Sequence, residues 1–250
     1  MQARSLPPRT GIAWLKAAFA LYRSNPPLLT SVTMIYLMIV VGLNFIPYLG
    51  AFIVPLLLPM LNLIIGNTCR LIASRQLPSS EQLLSGVREQ RPMLLRLGAI
   101  QLGASILLLL LMMLLEGGNM PEPGGKADIE DVAGMLLRLF LLAAPLLLAF
   151  WFAPLLTGWD KIPAGKAVFF SLIACWRNLG AFLVYLLAIV VVAILIPGLV
   201  MALATLVAPG LLGGLSFVLR TLLIVVLTPI LMGGAYISYR DIFHISEQAD

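Results

Sequence analysis

Residues 24–69 read SNPPLLTSVTMIYLMIVVGLNFIPYLGAFIVPLLLPMLNLIIGNTC, a run of 46 positions without a charged side chain. A helix that crosses about 30 Å of hydrocarbon needs roughly 20 apolar residues, so this run is long enough for two spans. Near its middle, Ile46-Pro47-Tyr48-Leu49-Gly50 contains a proline and a glycine, which favour a tight turn. The stretch therefore predicts a transmembrane hairpin over 28–69.

Four more uncharged runs follow, at 97–115, 139–159, 178–219 and 221–239. Together with the first run they predict an all-α, polytopic transmembrane helical bundle with about six spans, and seven is the alternative. The second and third hairpins are predicted over 93–156 and 179–238, within a single integral membrane domain, 1–250. Between 198 and 216 the sequence leaves three alternatives open: a re-entrant segment, an extra span, or a fifth span that runs on to a loop near Pro209.

The composition of the whole chain agrees with a lipid environment. Of its 250 residues, 61% are hydrophobic and only 11% are charged, and the mean hydropathy is +1.03. Soluble domains carry about 25% charged residues, so this composition excludes an ordinary water-soluble protein.

The basic residues predict the orientation. Of 16 lysines and arginines, 13 fall on one side of a six-span topology, which we expect to be the cytoplasm, together with both termini. Because the first apolar run begins only at Leu28, behind four basic residues, no cleaved signal peptide is expected. The net charge of +5 is explained by this asymmetry, and no basic run is dense enough to predict binding of nucleic acid.

Three segments outside the spans, 10–24, 79–90 and 165–178, have apolar residues at helical spacing beside basic ones. This pattern predicts amphipathic helices at the membrane surface that contact anionic lipid headgroups. The side chains expected at this interface are Trp14, Lys16, Phe19, Arg23, Arg88, Lys166, Phe169, Trp176 and Arg177.

A proline motif recurs in the second helix of each hairpin, as Pro59-Met60-Leu61, Pro154-Leu155-Leu156 and Pro229-Ile230-Leu231. The recurrence indicates a threefold repeat of one surface helix plus one hairpin; the alternative is chance similarity among apolar helices. Prolines free backbone carbonyls and kink helices, which in transporters helps to form cavities. The predicted cavity residues are Pro59, Asn62, Gln101, Pro154, Thr157 and Pro229, although polar side chains in spans also serve as simple interhelical hydrogen bonds.

Residues with catalytic or metal-binding chemistry are scarce. The chain has two cysteines, Cys69 and Cys175, and one histidine, His244, too few and too far apart for a Cys/His metal site. All acidic residues fall in loops or at helix ends, and five of them lie in an outer loop over 116–131. We therefore expect no catalytic residues, no cofactor and no metal site, and hence no enzyme.

The chain resembles a known family over most of its length in architecture, and the specific residues that carry the resemblance fall mainly in the first 75. Its specific residues are Trp14, Phe19, Tyr22, Arg23, Asn25, Pro26, the turn 46–50, Pro59, Asn67 and Arg70. They resemble an uncharacterised family of small proteobacterial inner-membrane proteins and, more distantly, the membrane domain that precedes the catalytic domain in some bacterial glycerophosphodiester phosphodiesterases. The resemblance implies a helical bundle in a bacterial inner membrane and carries no catalytic residues with it.

These observations favour a non-enzymatic membrane protein that binds lipids or a protein partner at the cytoplasmic leaflet. A transporter or channel for a small solute or a lipid, which would use the proline-broken helices, is the first alternative. A membrane anchor or assembly factor for another enzyme is the second. The expected partners are membrane lipids with anionic headgroups, and beyond them a membrane protein or a second copy of the chain.

Overall fold

The computed structural model describes residues 3–115, 129–207 and 209–243, without the side chains of 129–133 and 209. Every regular element in these ranges is helical, which confirms the predicted all-α class. His244 and nearly all of the predicted acidic loop over 116–131 lie outside the described residues. The α-helices are α1 Thr10–Ser24, α2 Pro26–Asn44, α3 Leu49–Ala73, α4 Ser80–Leu83, α5 Arg91–Leu115, α6 Ile129–Trp151, α7 Ala153–Gly158, α8 Ala164–Arg177, α9 Leu179–Val190, α10 Ile196–Val207, α11 Leu212–Leu222 and α12 Thr228–Phe243.

Six stretches of helix are long and apolar enough to cross a membrane, which confirms a polytopic bundle. They are Pro26–Asn44, Leu49–Ala73, Arg91–Leu115, Gly134–Gly158, Leu179–Val207 and Leu212–Phe243. We call the end of the bundle at which α3 and α12 finish the basic end. Both surface helices α1 and α8 pack there.

The last two spans each contain a π-helical turn, Val191–Leu195 and Leu223–Leu227, just before a proline. Proline lacks an N–H group and its ring clashes with the carbonyl four residues earlier, so a wider turn accommodates it. In the second turn two hydroxyls approach the backbone carbonyls: Thr30 donates to the Val225 carbonyl at 3.4 Å and Thr228 to the Leu223 carbonyl at 3.1 Å. The π turns therefore keep these spans continuous past their prolines.

The region 198–216, which the sequence left open, belongs mainly to the two long spans. Helix α10 continues to Val207, a 3-10 turn covers Pro209–Leu211, and α11 begins at Leu212. The fifth span thus runs past Pro197 to a short connection, and in the described part of this region the re-entrant segment and the seventh span are wrong.

Each surface segment packs against a different hairpin. Helix α8 follows the second hairpin and packs against its α6, α7 and α5, whereas α1, the first helix of the chain, lies between α9 and α12 of the third hairpin. The segment after α3 is held against that helix of the first hairpin, because the Asn67 amide donates to the carbonyls of Leu83 and Ser85, both at 2.8 Å. Each hairpin therefore has one surface segment beneath it, and the repeat in the sequence stays a prediction.

The surface segment after the first hairpin differs from its prediction. A helix was expected over 79–90, but α4 is a single turn, Ser80–Leu83, followed by further turns up to Gln90. Ser79 and Gln82 form a capping box at its start. Gly86 then adopts a positive φ of 74°, a conformation that ends a helix and brings its backbone against Gly158.

Residues near the two ends of the described range contact each other at the basic end. The backbone N–H of Arg4 donates to the Ile242 carbonyl at 3.0 Å. The Asn178 side chain accepts from the Leu6 N–H and donates to the Arg4 carbonyl, both at 2.8 Å. Residues 4–6 thus connect the start of α9 to the end of α12.

Candidate functional site

A cavity of about 650 Å³ lies among α2, α3, α5, α6, α9 and α12. Its wall is mostly aliphatic, with Leu58, Leu108, Leu147, Ile189 and Met232 among the lining residues. Pockets that hold small molecules usually measure roughly 300–1,000 Å³ and combine apolar walls with a few polar groups. The size and lining of this cavity fit that description.

Three polar side chains in the cavity lack hydrogen-bond partners. Asn62 lies on α3, and Gln101 and Ser105 lie one turn apart on α5. Within the described residues none of these three side chains forms a hydrogen bond, and no lysine, arginine or carboxylate lines the cavity. All three side chains are half-buried, so their polar groups can form hydrogen bonds to a molecule that enters the cavity.

Two aromatic side chains that line the cavity are anchored by hydrogen bonds to α12. The Tyr185 hydroxyl donates to the Leu231 carbonyl at 3.5 Å, and the Trp151 indole donates to Ser238 at 3.2 Å. A side chain at Gly234 would collide with the Tyr185 hydroxyl, so glycine at this position lets the tyrosine reach across to α12. These contacts bound the cavity on the side of α9 and α12.

Of the six predicted cavity residues, Asn62, Gln101 and Pro154 line the cavity. The prediction is wrong for Pro59, Thr157 and Pro229, which are absent from its lining. All three are buried on helix faces that pack against neighbouring helices, and the Thr157 hydroxyl has no hydrogen-bond partner there. Proline spacing alone does not tell which face of a kinked helix is turned towards a cavity.

Sequence reasoning missed several lining residues. Ser105 follows Gln101 by four positions, which places both on one face of α5, so this spacing was an available signal. Tyr36, Trp151 and Tyr185 come from three different elements. Their convergence depends on how those elements pack, which no local pattern encodes.

A second cavity, an apolar groove of about 510 Å³, lies where α1 meets the two π-helical turns. Val192 and Leu223 form parts of its walls, and Leu15, Lys16 and Phe19 of α1 close one side. Lys16 is the one charged residue among those that line it. The groove thus combines a long apolar surface with a single positive charge.

Eight of the nine residues predicted at the lipid interface are exposed in the structure: Lys16, Phe19, Arg23, Arg88, Lys166, Phe169, Trp176 and Arg177. Lys16, Phe19 and Arg23 follow one stripe of α1, and the Arg23 guanidinium lies 5.9 Å from the centre of the Phe19 ring. Trp176 is the most exposed of the aromatic members, at 68%. Their contact with lipid stays a prediction.

The prediction is wrong for Trp14, which is fully buried. Its indole donates to Asp241 at 3.2 Å, and its ring lies 5.1 Å from that of Phe182. The reason is that Trp14 shares the narrow, glycine- and alanine-containing face of α1, and this face is wedged between α9 and α12. The opposite face of the same helix carries the exposed cations.

A network of polar side chains joins the three hairpins at the basic end. The Trp159 indole donates to the Asn67 side-chain oxygen at 2.7 Å, and the Tyr239 hydroxyl donates to Asp160. The Arg70 guanidinium lies 5.6 Å from the centre of the Trp159 ring, which is the geometry of a cation–π contact. The network thereby places one arginine of the first hairpin over an aromatic ring of the second.

The structure brings together no group with evident catalytic or metal-binding chemistry in the part of the chain that it describes. No three histidines, cysteines or carboxylates are close enough there to hold a metal ion. Cys69 and Cys175 are buried free thiols, and burial raises the pKa of the Cys175 thiol above its ordinary value. A neutral, inaccessible thiol is a poor nucleophile.

The comparisons with known proteins agree with this architecture. No family model matches the chain, and no solved structure matches it significantly. The chain is 31% identical over 265 aligned residues to a protein of Burkholderia thailandensis whose name is "probable inner membrane protein", and the alignment covers 99% of this chain and 96% of that protein. The likeness to the membrane domain of glycerophosphodiester phosphodiesterases stays a prediction. With a relative of this identity along nearly its whole length, the chain belongs to the same family of multi-pass inner-membrane proteins.

Proposed function

We propose that the protein is a non-enzymatic membrane protein that binds uncharged, amphipathic molecules, such as a neutral lipid, in its central cavity. The observation that carries this proposal is the set of unpartnered side chains, Asn62, Gln101 and Ser105, within otherwise apolar walls. A molecule with a hydrocarbon part and one uncharged polar group would satisfy both kinds of surface at once.

The charge distribution supports an uncharged ligand. Because no lysine, arginine, histidine, aspartate or glutamate among the described residues lines the cavity, an ionic ligand would enter it without a countercharge. The cost of burying an unpaired charge far exceeds the gain from one or two amide hydrogen bonds. The two amides therefore favour hydroxyl or carbonyl groups over phosphates, carboxylates and cations.

The exposed cations support a complementary role at the lipid surface. Lys16 and Arg23 on α1, and Lys166 and Arg177 on α8, all lie towards the basic end. We place this end at the cytoplasmic leaflet of a bacterial inner membrane, where anionic headgroups would meet these side chains. In this arrangement the surface helices position the bundle in the leaflet, and the cavity holds the ligand.

Photocrosslinking of the full chain in lipid nanodiscs tests the proposal. The probe is a photoactivatable diacylglycerol, which is uncharged and amphipathic. We expect labelled peptides from α3 and α5 next to Asn62 and Gln101, and a large loss of labelling in Ala143→Phe, which fills the cavity from α6. Ala202→Phe is the matched control, because Ala202 is exposed on α10 and should leave labelling unchanged.

The labelling pattern decides the outcome. Equal labelling in the wild type and in Ala143→Phe would refute binding in the cavity. Replacing both Asn62 and Gln101 with leucine should weaken labelling by about tenfold if each amide forms one hydrogen bond to the probe.

Passage of a small uncharged solute is a second candidate function, favoured by the position of Asn62 and Gln101 on different helices of the cavity wall. Solute flux in proteoliposomes that disappears in Asn62→Leu and persists in Asn44→Leu would favour transport over lipid binding. Asn44 is a suitable control because it is exposed and donates to the Val40 carbonyl of its own helix.

A further inference from the structure

A third cavity, separate from the central one, lies at the basic end between the last turns of α3 and the segment 76–85. It measures about 400 Å³, and polar side chains dominate its lining: Asn67, Arg70, Ser74, Gln76, Gln82 and Ser85. We call it the Arg70 pocket. Neither the predicted interface residues nor the predicted cavity residues include any part of it.

The frame of the Arg70 pocket is held by hydrogen bonds that do not depend on a ligand. Asn67 is buried and ties the backbone at Leu83 and Ser85 to α3, while its side-chain oxygen accepts from Trp159. On the opposite side, the Gln76 N–H donates to the Leu71 carbonyl at 3.1 Å, which closes the end of α3. The walls are therefore already in place in the absence of a ligand.

Arg70 supplies an unneutralised positive charge. Its guanidinium lies over the Trp159 ring, and in the described residues it forms no ion pair. None of the residues that line the pocket is acidic. A cation–π contact restrains the guanidinium and leaves its N–H groups available to donate.

The remaining side chains are neutral and can donate hydrogen bonds. The Ser85 hydroxyl has no partner in the described residues. The Gln82 side-chain oxygen accepts from Ser79 in the capping box, whereas its NH2 group makes only a long 3.5 Å contact to Gln76. One guanidinium, two amides and a hydroxyl around a small polar space, without a carboxylate, match the needs of an oxyanion with several acceptor oxygens.

We propose that the Arg70 pocket binds a phosphate group, with Arg70 as its main ligand and the Gln76, Gln82 and Ser85 side chains as further donors. Arginine matches phosphate because its planar fork donates two parallel hydrogen bonds. The phosphate can come from a lipid headgroup or from a soluble phosphorylated molecule, since the recognition chemistry is the same. This site goes beyond the central cavity, whose lining carries no charge, and does not depend on it.

The test uses the full chain in maltoside micelles, which contain neither phosphate nor charge. One arm titrates inorganic phosphate against sodium chloride of equal ionic strength. The other titrates phosphatidylglycerol against diacylglycerol, which lacks the phosphate. Ligand-dependent stabilisation against heat gives the Kd in each arm.

We expect phosphate, phosphatidylglycerol or both to bind the wild type, and Arg70→Gln to weaken binding by at least about tenfold through loss of its charge-assisted hydrogen bonds. Arg96→Gln is the charge-matched control and should change the Kd by less than about twofold, because Arg96 is exposed on α5 and does not line the pocket. Binding of free phosphate without phosphatidylglycerol identifies a soluble source, binding of phosphatidylglycerol alone identifies a headgroup, and binding of both shows that the pocket accepts either source.

Gln76→Glu keeps the proposal testable if Arg70→Gln does not fold. It leaves the Arg70–Trp159 contact in place and adds a negative charge to the pocket, which should also weaken binding by about tenfold. If the wild type binds neither ligand, or if Arg70→Gln and Gln76→Glu bind as tightly as Arg96→Gln, the proposal is overturned.

Discussion

The Trp159 indole donates to the Asn67 side-chain oxygen at 2.7 Å and thereby joins the second hairpin to the first across 92 residues of chain. The same asparagine amide holds the backbone at Leu83 and Ser85. One buried side chain thus satisfies three partners from two segments.

Replacing Asn67 with alanine should destabilise the protein by roughly 1–3 kcal/mol, because the buried partners lose their hydrogen bonds. The thermal midpoint in detergent measures the effect. Asn44→Ala is the control and should cost no more than about 0.5 kcal/mol, since Asn44 is exposed and bonds only within its own helix. Equal losses in the two variants would contradict the role assigned to Asn67.

Gly11 allows α1 to approach α9. A Cβ atom there would collide with the Ala181 carbonyl oxygen, so Gly11→Ala should force the two helices apart and lower the thermal midpoint. Gly165→Ala is the matched control at the start of α8, where nothing lies within 4 Å of the added atom. That variant should be neutral or up to about 1 kcal/mol more stable, because alanine favours helix over glycine. A similar fall in both midpoints would show that Gly11 has no special packing role.

The two tryptophans of the surface helices should respond in opposite ways. Trp14→Ala removes a fully buried ring and should destabilise the fold by about 3 kcal/mol or more. Trp176→Ala removes an exposed ring, so the thermal midpoint should hardly change. The measurement is the thermal midpoint of both variants in the same detergent. A larger fall in the midpoint for Trp176→Ala than for Trp14→Ala would contradict the burial of Trp14.

Cys175 should be almost unreactive in the folded protein. Burial raises the pKa of its thiol, so the thiolate is scarcer at any given pH than in an exposed cysteine. In a Cys69→Ala background, alkylation should stay slow from pH 7 to 9 and become fast only on unfolding. The reporter is Ser24→Cys in a chain without either native cysteine, because Ser24 is exposed and should react faster as pH rises. Equal rates for the two thiols would contradict the burial of Cys175.

The spans could be predicted because charge is absent over long runs, and a charge within a lipid-facing helix is costly. The turn at Ile46–Gly50 could also be predicted, because its proline and glycine are a local signal. In the structure α2 ends at Asn44 and α3 begins at Leu49. Trp14 could not be placed, because α1 has two different faces and the sequence does not tell whether lipid or another helix covers each. Gly11 and Ala18 are buried beside Trp14, so close packing of helices, and not contact with lipid, covers this face of α1.

Asn62 and Gln101 could be proposed for the cavity because polar side chains are conspicuous in apolar spans. The Arg70 pocket was beyond prediction, since it requires a fold in which the segment 76–85 turns back along α3 and Trp159 arrives from another hairpin. Such convergence follows from tertiary packing, and a periodic pattern in one helix contains no information about it.

The position of α1 between α9 and α12 also sets the order in which the molecule can be completed. The ribosome makes α1 well before α9 and α12, and at roughly 5–20 residues per second the delay between them is on the order of 10 s. During that interval the face that carries Trp14 has no helix to cover it, so a nascent α1 would rest in the lipid interface, as its amphipathic sequence suggests. The site that α1 occupies exists only once translation has supplied the third hairpin, so α1 can pack against α9 and α12 only after the helices between them have been made.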